Sequence, residues 1–274
     1  MESEGRVASF EATGAGARLL SRHPSLAALA AELPEGVYTT LRTYGGRRVL
    51  RLESHFRRLE ESVALKGGAG TIGRGAARAA VAAALDATGH AESRLRLTFA
   101  PPRLFVGVEP FAPLPAAAYD DGVSCVTVDV RRDNPHAKDT RFIATAQSVY
   151  RTLPPGVEEG LLVGDDGAVL EGLSSNFFAV WDRTLRTEGE RALRGVTRSL
   201  VLEVAAAVLA VDERAVTRAE LASIEEAFVT SVSREVLPVV AIDGRPVGDG
   251  RVGPVTRAVM DAFAALVARE AEPL

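Results

Sequence analysis

The chain has little cysteine and no excess of positive charge, and each shortage excludes a class of protein. A single cysteine, Cys125, in 274 residues excludes an internal disulfide framework and a zinc or iron–sulfur site built from several cysteines. Lys and Arg together number 32 against 36 Asp and Glu, which gives a net charge of −4. We therefore expect no global basic field that would recruit nucleic acid or an acidic membrane.

Long apolar runs are also missing. The longest one, from Val204 to Val211, is far too short to span a bilayer. The amino-terminal letters MESEGRVASF contain no basic segment followed by an apolar one, so no secretory signal is predicted. With 47% apolar and 25% charged residues, the composition is that of a globular protein. We expect a soluble, cytoplasmic protein with one or two domains.

Hairpin and helix patterns follow one another along residues 36–110. The alternating run GVYTTLRTY ends at Gly45-Gly46 and predicts a β-hairpin. Helical spacing follows over 54–66 and 76–88, and RLRLTFAPPRLFVGVEPF predicts a second hairpin that turns at Pro101-Pro102. The stretch after this hairpin is rich in Pro, Ala and Asp, which is typical of a linker.

The rest of the chain mixes strands and helices. We predict strands in VSCVTVDV and NFFAVW, a hairpin at Asp166-Gly167, and helices over 142–153, 197–209 and 254–268. Hairpins among helices indicate a mixed α/β or α+β fold and argue against a doubly wound nucleotide-binding fold. The predicted boundaries are a smaller N-terminal α/β domain over 1–112, a linker over 113–122 and a larger C-terminal domain over 123–274.

Two features of the sequence look functional but lack the context that their chemistry needs. Gly68, Gly70 and Gly73 match the dinucleotide fingerprint G-x-G-x-x-G, yet a predicted helix precedes them where a strand is required. We interpret this segment as a loop between helices. The four histidines show no metal-ligand spacing, so no metal site is predicted.

Four separated segments carry groups suited to carbonyl and anion chemistry. Lys138, in NPHAKDTRF, follows a predicted strand, and its amine, if desolvated, would form an imine with a carbonyl. Glu171 ends a strand 33 positions later and could hold a proton on a ring nitrogen. Gly195-Val196-Thr197 opens a helix whose free amides could bind an anion, and Arg58 could supply a fixed cation.

Together, six segments resemble the class IV aminotransferases, the fold-type-IV pyridoxal-phosphate enzymes. They lie in order over about 36–265: GVYTTLRTYGG, HFRRLEES, NPHAK, EGLLVGDDGAVLEGLSSNFF, LRGVTR, and FVTSVSREVLPV with DGRVGPVTR. The family includes branched-chain and D-amino-acid aminotransferases and aminodeoxychorismate lyase. The resemblance implies a two-domain enzyme with pyridoxal 5'-phosphate at the domain interface, and a homodimer.

The resemblance also implies roles for individual residues. Lys138 is similar to the lysine that forms the Schiff base with the cofactor and moves the substrate's Cα proton, and Glu171 to the partner of the pyridinium nitrogen. The other positions similar to cofactor contacts are Arg58, Ser174, Leu193, Gly195, Val196, Thr197, Val232 and Ser233. The positions similar to the substrate pocket are Tyr38, Thr39 and Arg96, of which Arg96 could bind a carboxylate through two parallel hydrogen bonds.

Three departures from the family pattern leave the reaction open. Val232 stands where the family often has threonine, Ile143 where branched-chain enzymes have tyrosine, and Thr39 where a glutamate is common. The first expectation is an aminotransferase acting on an amino acid or amine and a 2-oxo acid. Thr39 favours the alternative of 4-amino-4-deoxychorismate lyase, which releases pyruvate. Val232 and Ile143 motivate a third alternative, a non-catalytic paralogue that binds the cofactor.

Overall fold

The computed structural model describes residues 6–274 and divides the chain into two compact units. The first unit runs to Ala112 and also includes Ala137–Ala144 and Glu270–Leu274, whereas the second consists of Pro113–His136 and Thr145–Arg269. Residues 1–5, part of the amino terminus for which no secretory signal is predicted, lie outside the described residues. No helix within 6–274 has the length and apolarity needed to cross a bilayer.

The first unit is an antiparallel sheet packed against three helices. Its elements are β1 (Val7–Thr13), β2 (Gly16–His23), α1 (Leu26–Glu32), β3 (Val37–Tyr44), β4 (Arg48–Val49), α2 (Leu52–Leu65), α3 (Arg74–Thr88), β5 (Ser93–Ala100), β6 (Arg103–Pro110) and β16 (Glu272–Pro273). The strand order in the described residues is β16-β4-β3-β5-β6-β1-β2. Apolar residues of β3, β5 and β6 pack with those of α2 and α3 in one core.

The second unit contains a mixed sheet. Its elements are α4 (Ala116–Asp120), β7 (Val123–Val128), β8 (Val157–Val163), β9 (Val169–Gly172), β10 (Asn176–Trp181), β11 (Thr184–Arg186), α6 (Val196–Ala205), β12 (Ala210–Asp212), β13 (Glu226–Ser231), β14 (Glu235–Ile242), β15 (Arg245–Pro246) and α7 (Pro254–Glu270). The order is β12-β11-β10-β13-β14-β7-β8-β9, with β15 on β14, and α5 (Arg141–Tyr150) precedes β8. Parallel pairs join β7 to β8 and to β14, so the predicted mixed fold is confirmed.

Several sequence predictions need correction. The predicted linker contains α4, and residues 137–144, which we placed in the C-terminal domain, pack with the first unit. The hairpin after β3 is confirmed, but β4 is two residues long and α2 begins at Leu52 instead of 54. The glycine-rich segment at 68–73 is the loop between α2 and α3, as predicted.

Candidate active site

The segment that carries Lys138 is anchored to β3 and α2 through its backbone. The Tyr38 N–H donates to the Lys138 carbonyl oxygen at 2.9 Å, and the Lys138 N–H donates to Ser62 Oγ at 3.3 Å. One position on, Asp139 forms an antiparallel bridge with Val37. The side chain of Lys138 lies on the ring of Tyr38, with Nζ 4.9 Å from the ring centroid. The fold therefore fixes the base of this lysine and places its ammonium over an aromatic face.

Lysine is rare in this chain, which has 2 lysines and 30 arginines. The second lysine, Lys66, is occupied by two carboxylates, with Nζ 3.1 Å from Glu35 Oε1 and 2.9 Å from Asp139 Oδ2. Because Asp139 follows Lys138 directly, this ion pair ties the end of α2 to the Lys138 segment. Lys66 is the only other lysine in the sequence, and its ammonium forms two ion pairs.

Arg96 lies on the same face of the sheet as Tyr38. The register pairs Tyr38 with Thr98 and Thr40 with Arg96, and the guanidinium carbon of Arg96 lies 5.0 Å from the Tyr38 ring centroid. Nη1 of Arg96 donates to the Leu26 carbonyl at 2.6 Å, whereas buried Nε has no partner within 6–274. Burial lowers the pKa of Arg96. A carboxylate placed here would both stabilise the cation and satisfy Nε.

Thr39 does not join this group. Adjacent residues of a strand point to opposite faces, so Thr39 faces the core while Tyr38 faces away from it. Thr39 is fully buried, and its Oγ1 lies 2.7 Å from Nδ1 of His55 on α2. Burial is the largest cause that lowers the pKa of His55 well below 6.5, and the positive charges of Arg58 and Lys138 contribute further. The structure therefore places Thr39 beside a neutral imidazole and not in a position to touch a substrate.

Arg58 lies one turn along α2 from His55. Burial lowers its pKa to about 10, and the nearby Glu61 and Tyr38 offset part of this effect. A half-buried guanidinium whose pKa is lowered in this way gains from a bound anion, because the anion compensates the lost hydration. In the first unit the predicted residues Tyr38, Arg58, Arg96 and Lys138 thus form one cationic group around the Tyr38 ring and its hydroxyl.

The second unit buries the predicted carboxylate. Glu171, at the end of β9, is 2% exposed, and its Oε2 accepts the Leu193 N–H at 3.0 Å. Nε of Arg132 lies 3.4 Å from the other carboxylate oxygen. A carboxylate held by a backbone donor and a cation keeps its orientation. Sequence reasoning did not select Arg132, although it lies close to the lysine motif.

The amino end of α6 lies beside Glu171. Leu193, which binds Glu171, accepts a hydrogen bond from Asn176 Nδ2 at 2.7 Å through its carbonyl. A Cβ on Gly195 would overlap Asn176 Oδ1, so only glycine fits at this close approach. The first amides of α6, those of Val196 and Thr197 among them, have no intrahelical partner and can bind an anion.

Ser174 and the Val232–Ser233 turn form a second polar group in the same unit. Ser174 Oγ lies 2.7 Å from Tyr150 Oη and accepts a hydrogen bond from Arg234 Nη2 at 2.7 Å. Val232 and Ser233 lie in the turn between β13 and β14, immediately before Arg234. Sequence reasoning assigned no role here to the buried Glu159, which organises this group. Its only sequence signal is an acidic residue inside an apolar strand.

Comparisons with known proteins match most of the chain to one family and one fold. The model of the family described as "Amino-transferase class IV" matches residues 36–242. A branched-chain-amino-acid aminotransferase of Pseudomonas aeruginosa is 27% identical over 267 residues, covering 86% of this chain and 85% of that protein. A putative branched-chain-amino-acid aminotransferase of Methanocaldococcus jannaschii is 31% identical over 159 residues, covering 55% of each chain.

The crystal structure of a putative branched-chain amino acid aminotransferase from Thermotoga maritima has a similar fold. The TM-score is 0.77 at 24% identity, and the alignment covers 96% of both chains. By contrast, the aligned stretch spans 55%, 29% and 40% of the lengths of the first three curated relatives. These similarities therefore establish the family and the fold. The activity depends on the residues of the candidate site.

Proposed function

The chain belongs to the class IV amino-transferase family, and on this premise we propose that it is a pyridoxal-phosphate-dependent aminotransferase. It moves an amino group between an amino acid or amine and a 2-oxo acid. The observation that carries the proposal is the anchored Lys138, which is one of two lysines in the chain and lies in the matched region. Its ammonium is held over Tyr38 on a cationic face.

The residues present fit the cofactor in their chemistry. A primary amine is needed to bind its aldehyde, and Lys138 offers one. A buried carboxylate is needed to hold a proton on its ring nitrogen, and Glu171 is 2% exposed and oriented by the Leu193 N–H. Anion donors are needed for its phosphate, and the amides that begin α6, the Thr197 hydroxyl and Arg58 are of this kind.

The bound cofactor supplies an electron sink for negative charge that develops at the substrate's Cα. In our proposal, the Lys138 amine would hold the cofactor through its aldehyde carbon, with release of water, until the substrate amine takes its place there. The freed amine would then carry the proton to and from Cα. Glu171 keeps the ring nitrogen protonated. Leu193 is proposed to pack on the cofactor ring, and Ser174, Val232 and Ser233 to complete the phosphate contacts with Gly195, Val196 and Thr197.

We propose that Arg96 and Tyr38 bind the substrate carboxylate. The Nε atom of Arg96 has no hydrogen-bond partner among the described residues, and the guanidinium carbon lies 5.0 Å from the centroid of the Tyr38 ring. Relatives of this chain are named as branched-chain-amino-acid and D-alanine aminotransferases. Small apolar α-amino acids of both enantiomers are therefore the first donors to test.

The structure weakens the argument for the lyase alternative. That argument depended on Thr39 as a pocket residue, and Thr39 is fully buried beside His55. The identity of this residue therefore carries no information about the shape of the substrate. Transamination remains the proposal, with the lyase and the non-catalytic paralogue as outcomes of the test below.

We also propose that the protein is a cytoplasmic homodimer, an expectation that depends on the resemblance to the family. Light scattering of the purified protein should give twice the mass of the 28.9 kDa chain. A monomer that retains full activity would contradict the dimer.

The reaction is tested by following the two half-reactions separately. Donor amino acid without acceptor should convert bound pyridoxal phosphate to pyridoxamine phosphate in a one-to-one ratio and then stop. A 2-oxo acid should reverse the change. Continuous release of pyruvate from aminodeoxychorismate, with no conversion by any donor, would support the lyase. Cofactor binding without either reaction would support the non-catalytic paralogue.

A further inference from the structure

Arg234 is a buried cation outside the set of residues assigned to the reaction. It ends the turn between β13 and β14, and 8% of the residue is exposed. Its Nη2 donates to Glu159 Oε2 at 2.6 Å and to Ser174 Oγ at 2.7 Å, and its Nε donates to Ser231 Oγ at 3.3 Å. One guanidinium therefore joins three separate segments of the second unit.

Glu159 is the centre of this network and is completely buried. Besides the bond from Arg234, its carboxylate accepts hydrogen bonds from Tyr150 Oη at 2.6 Å, Ser175 Oγ at 2.9 Å, the Gly160 N–H at 3.0 Å and Ser174 Oγ at 3.1 Å. Burial and then the charge of Glu159 raise the pKa of Tyr150, so the phenol stays protonated and donates. The buried Glu159 carboxylate thus accepts hydrogen bonds from five donors, and a satisfied buried charge of this kind fixes the positions of the groups that bind it.

The two turns joined by the network are the ones that carry proposed cofactor contacts. Ser174 and Ser175 follow Glu171 within four positions, and the turn that ends at Arg234 contains Val232 and Ser233. Gly172 makes the approach possible, because a Cβ there would overlap Ser175 Oγ and lie 2.9 Å from Glu159 Cγ. The backbone at position 172 therefore packs so closely on Ser175 and Glu159 that no side chain fits there.

We propose that Arg234 is a positioning residue that holds the 231–234 turn in the shape that binds the cofactor phosphate. The proposal rests on the proposed function. In this proposal Arg234 does not bind the phosphate itself. Its Nη2 and Nε are directed to Glu159, Ser174 and Ser231, its Nη1 lies 3.5 Å from Glu158 Oε1, and its charge is balanced by these carboxylates. It acts through the turn that it shapes.

The test compares Arg234→Met with a double variant and a matched control. Arg186→Met is the control, because Arg186 is 4% exposed in the same unit but donates to the Arg214 carbonyl at 3.1 Å and pairs with Glu220 at 3.4 Å, away from both turns. The double variant Arg234→Met with Glu159→Gln removes both buried charges. Melting temperature and the dissociation constants of pyridoxal phosphate and of pyridoxal are measured for each protein.

Arg234→Met should raise the dissociation constant of pyridoxal phosphate about tenfold, as expected for one or two lost hydrogen bonds. The control should change it by less than about threefold. The double variant should recover much of the lost melting temperature, because no unpaired buried charge remains. Its affinity for pyridoxal phosphate should stay low, because the bonds to Ser174 and Ser231 are still missing.

Recovery of affinity together with melting temperature in the double variant would show a purely structural role and overturn the proposal. The proposal would also be overturned if Arg234→Met lost as much affinity for pyridoxal, which has no phosphate, as for pyridoxal phosphate. An equal loss of affinity for pyridoxal phosphate in Arg186→Met would overturn it as well. If the single variant Arg234→Met fails to fold, the dissociation constants of the double variant still test the proposal. Failure of the proposed function is distinguishable, because a lyase or a non-catalytic paralogue would still bind pyridoxal phosphate and the comparison of variants would still apply. If the unaltered protein bound neither compound, the positioning role would be contradicted together with cofactor binding.

Discussion

At the scale of single residues, the first unit places a neutral base next to two cations. His55 is 2% exposed and forms a hydrogen bond with Thr39. Burial is the main cause that lowers the pKa of His55, and the charges of Arg58 and Lys138 lower it further. A protonated His55 would add a third positive charge to a partly desolvated group. The imidazole therefore supports α2 and β3 as a neutral hydrogen-bonding partner at the pH where Lys138 works.

This environment predicts a pH-dependent stability. Because the folded pKa of His55 lies below 6.5, the unfolded chain binds more protons below that pH, and the free energy of unfolding falls as the pH is lowered. The loss should approach about 1.4 kcal/mol per pH unit between pH 6.5 and the folded pKa. Urea unfolding of the unaltered protein and of His55→Asn at pH 7.5, 6.5 and 5.5 measures it. Parallel pH profiles of the two proteins would contradict the assignment.

Arg96 gives a second prediction at the same scale. Arg96→Gln should raise the KM for the 2-oxo acid roughly ten- to a hundredfold, the worth of a charge-assisted hydrogen bond, with a smaller effect on kcat. Arg94→Gln is the matched control, because Arg94 lies two residues away on β5 and pairs with Glu109. Steady-state kinetics of both variants provide the measurement. Equal KM values for the two variants would remove Arg96 from the substrate site.

At the scale of elements, periodicity predicts most of the helices and strands that bury one face, although it did not lead to β1 or α1, which also bury residues. The run 37–44 alternates buried and half-buried residues without a break, and the sequence predicts it as a strand. Five consecutive residues of β2 are exposed, so its sequence has no alternating signal and the strand was missed. The same alternation of β3 is enough to separate Tyr38 from Thr39, and sequence reasoning could have excluded Thr39 from the substrate pocket.

The amino end of α6 gives a prediction for an element. Gly195→Ala should destabilise the protein by about 1–3 kcal/mol, because the new Cβ overlaps Asn176 Oδ1 and disturbs the Asn176–Leu193 hydrogen bond. It should also weaken cofactor binding. Gly75→Ala, in the first turn of α3, meets no atom within 4 Å and should stabilise by up to about 1 kcal/mol. Thermal melts of both variants test this, and equal shifts would contradict the close packing at Gly195.

At the scale of the whole molecule, the sequence predicts the family, the mixed fold and the two-part organisation, because these depend on motifs and local patterns. It does not predict pairs that are distant in the chain. The contact of Arg132 with Glu171 and the network of Glu159 with Arg234 join residues 39 and 75 positions apart, which only the sheet topology brings together. The assignment of 137–144 to the first unit has the same origin, since hydrogen bonds to β3 and α2 hold that segment.

The central claim, that Lys138 binds the cofactor, is tested most directly by borohydride reduction of the protein loaded with pyridoxal phosphate, followed by peptide mass spectrometry. The chain has two lysines, so the result is a choice between two peptides. The pyridoxyl group should be found on the peptide that contains Lys138, and Lys138→Ala should abolish both the label and nearly all turnover. Lys66→Arg, which keeps a cation for Glu35 and Asp139, should retain the label. A label on Lys66, or full activity in Lys138→Ala, would contradict the account.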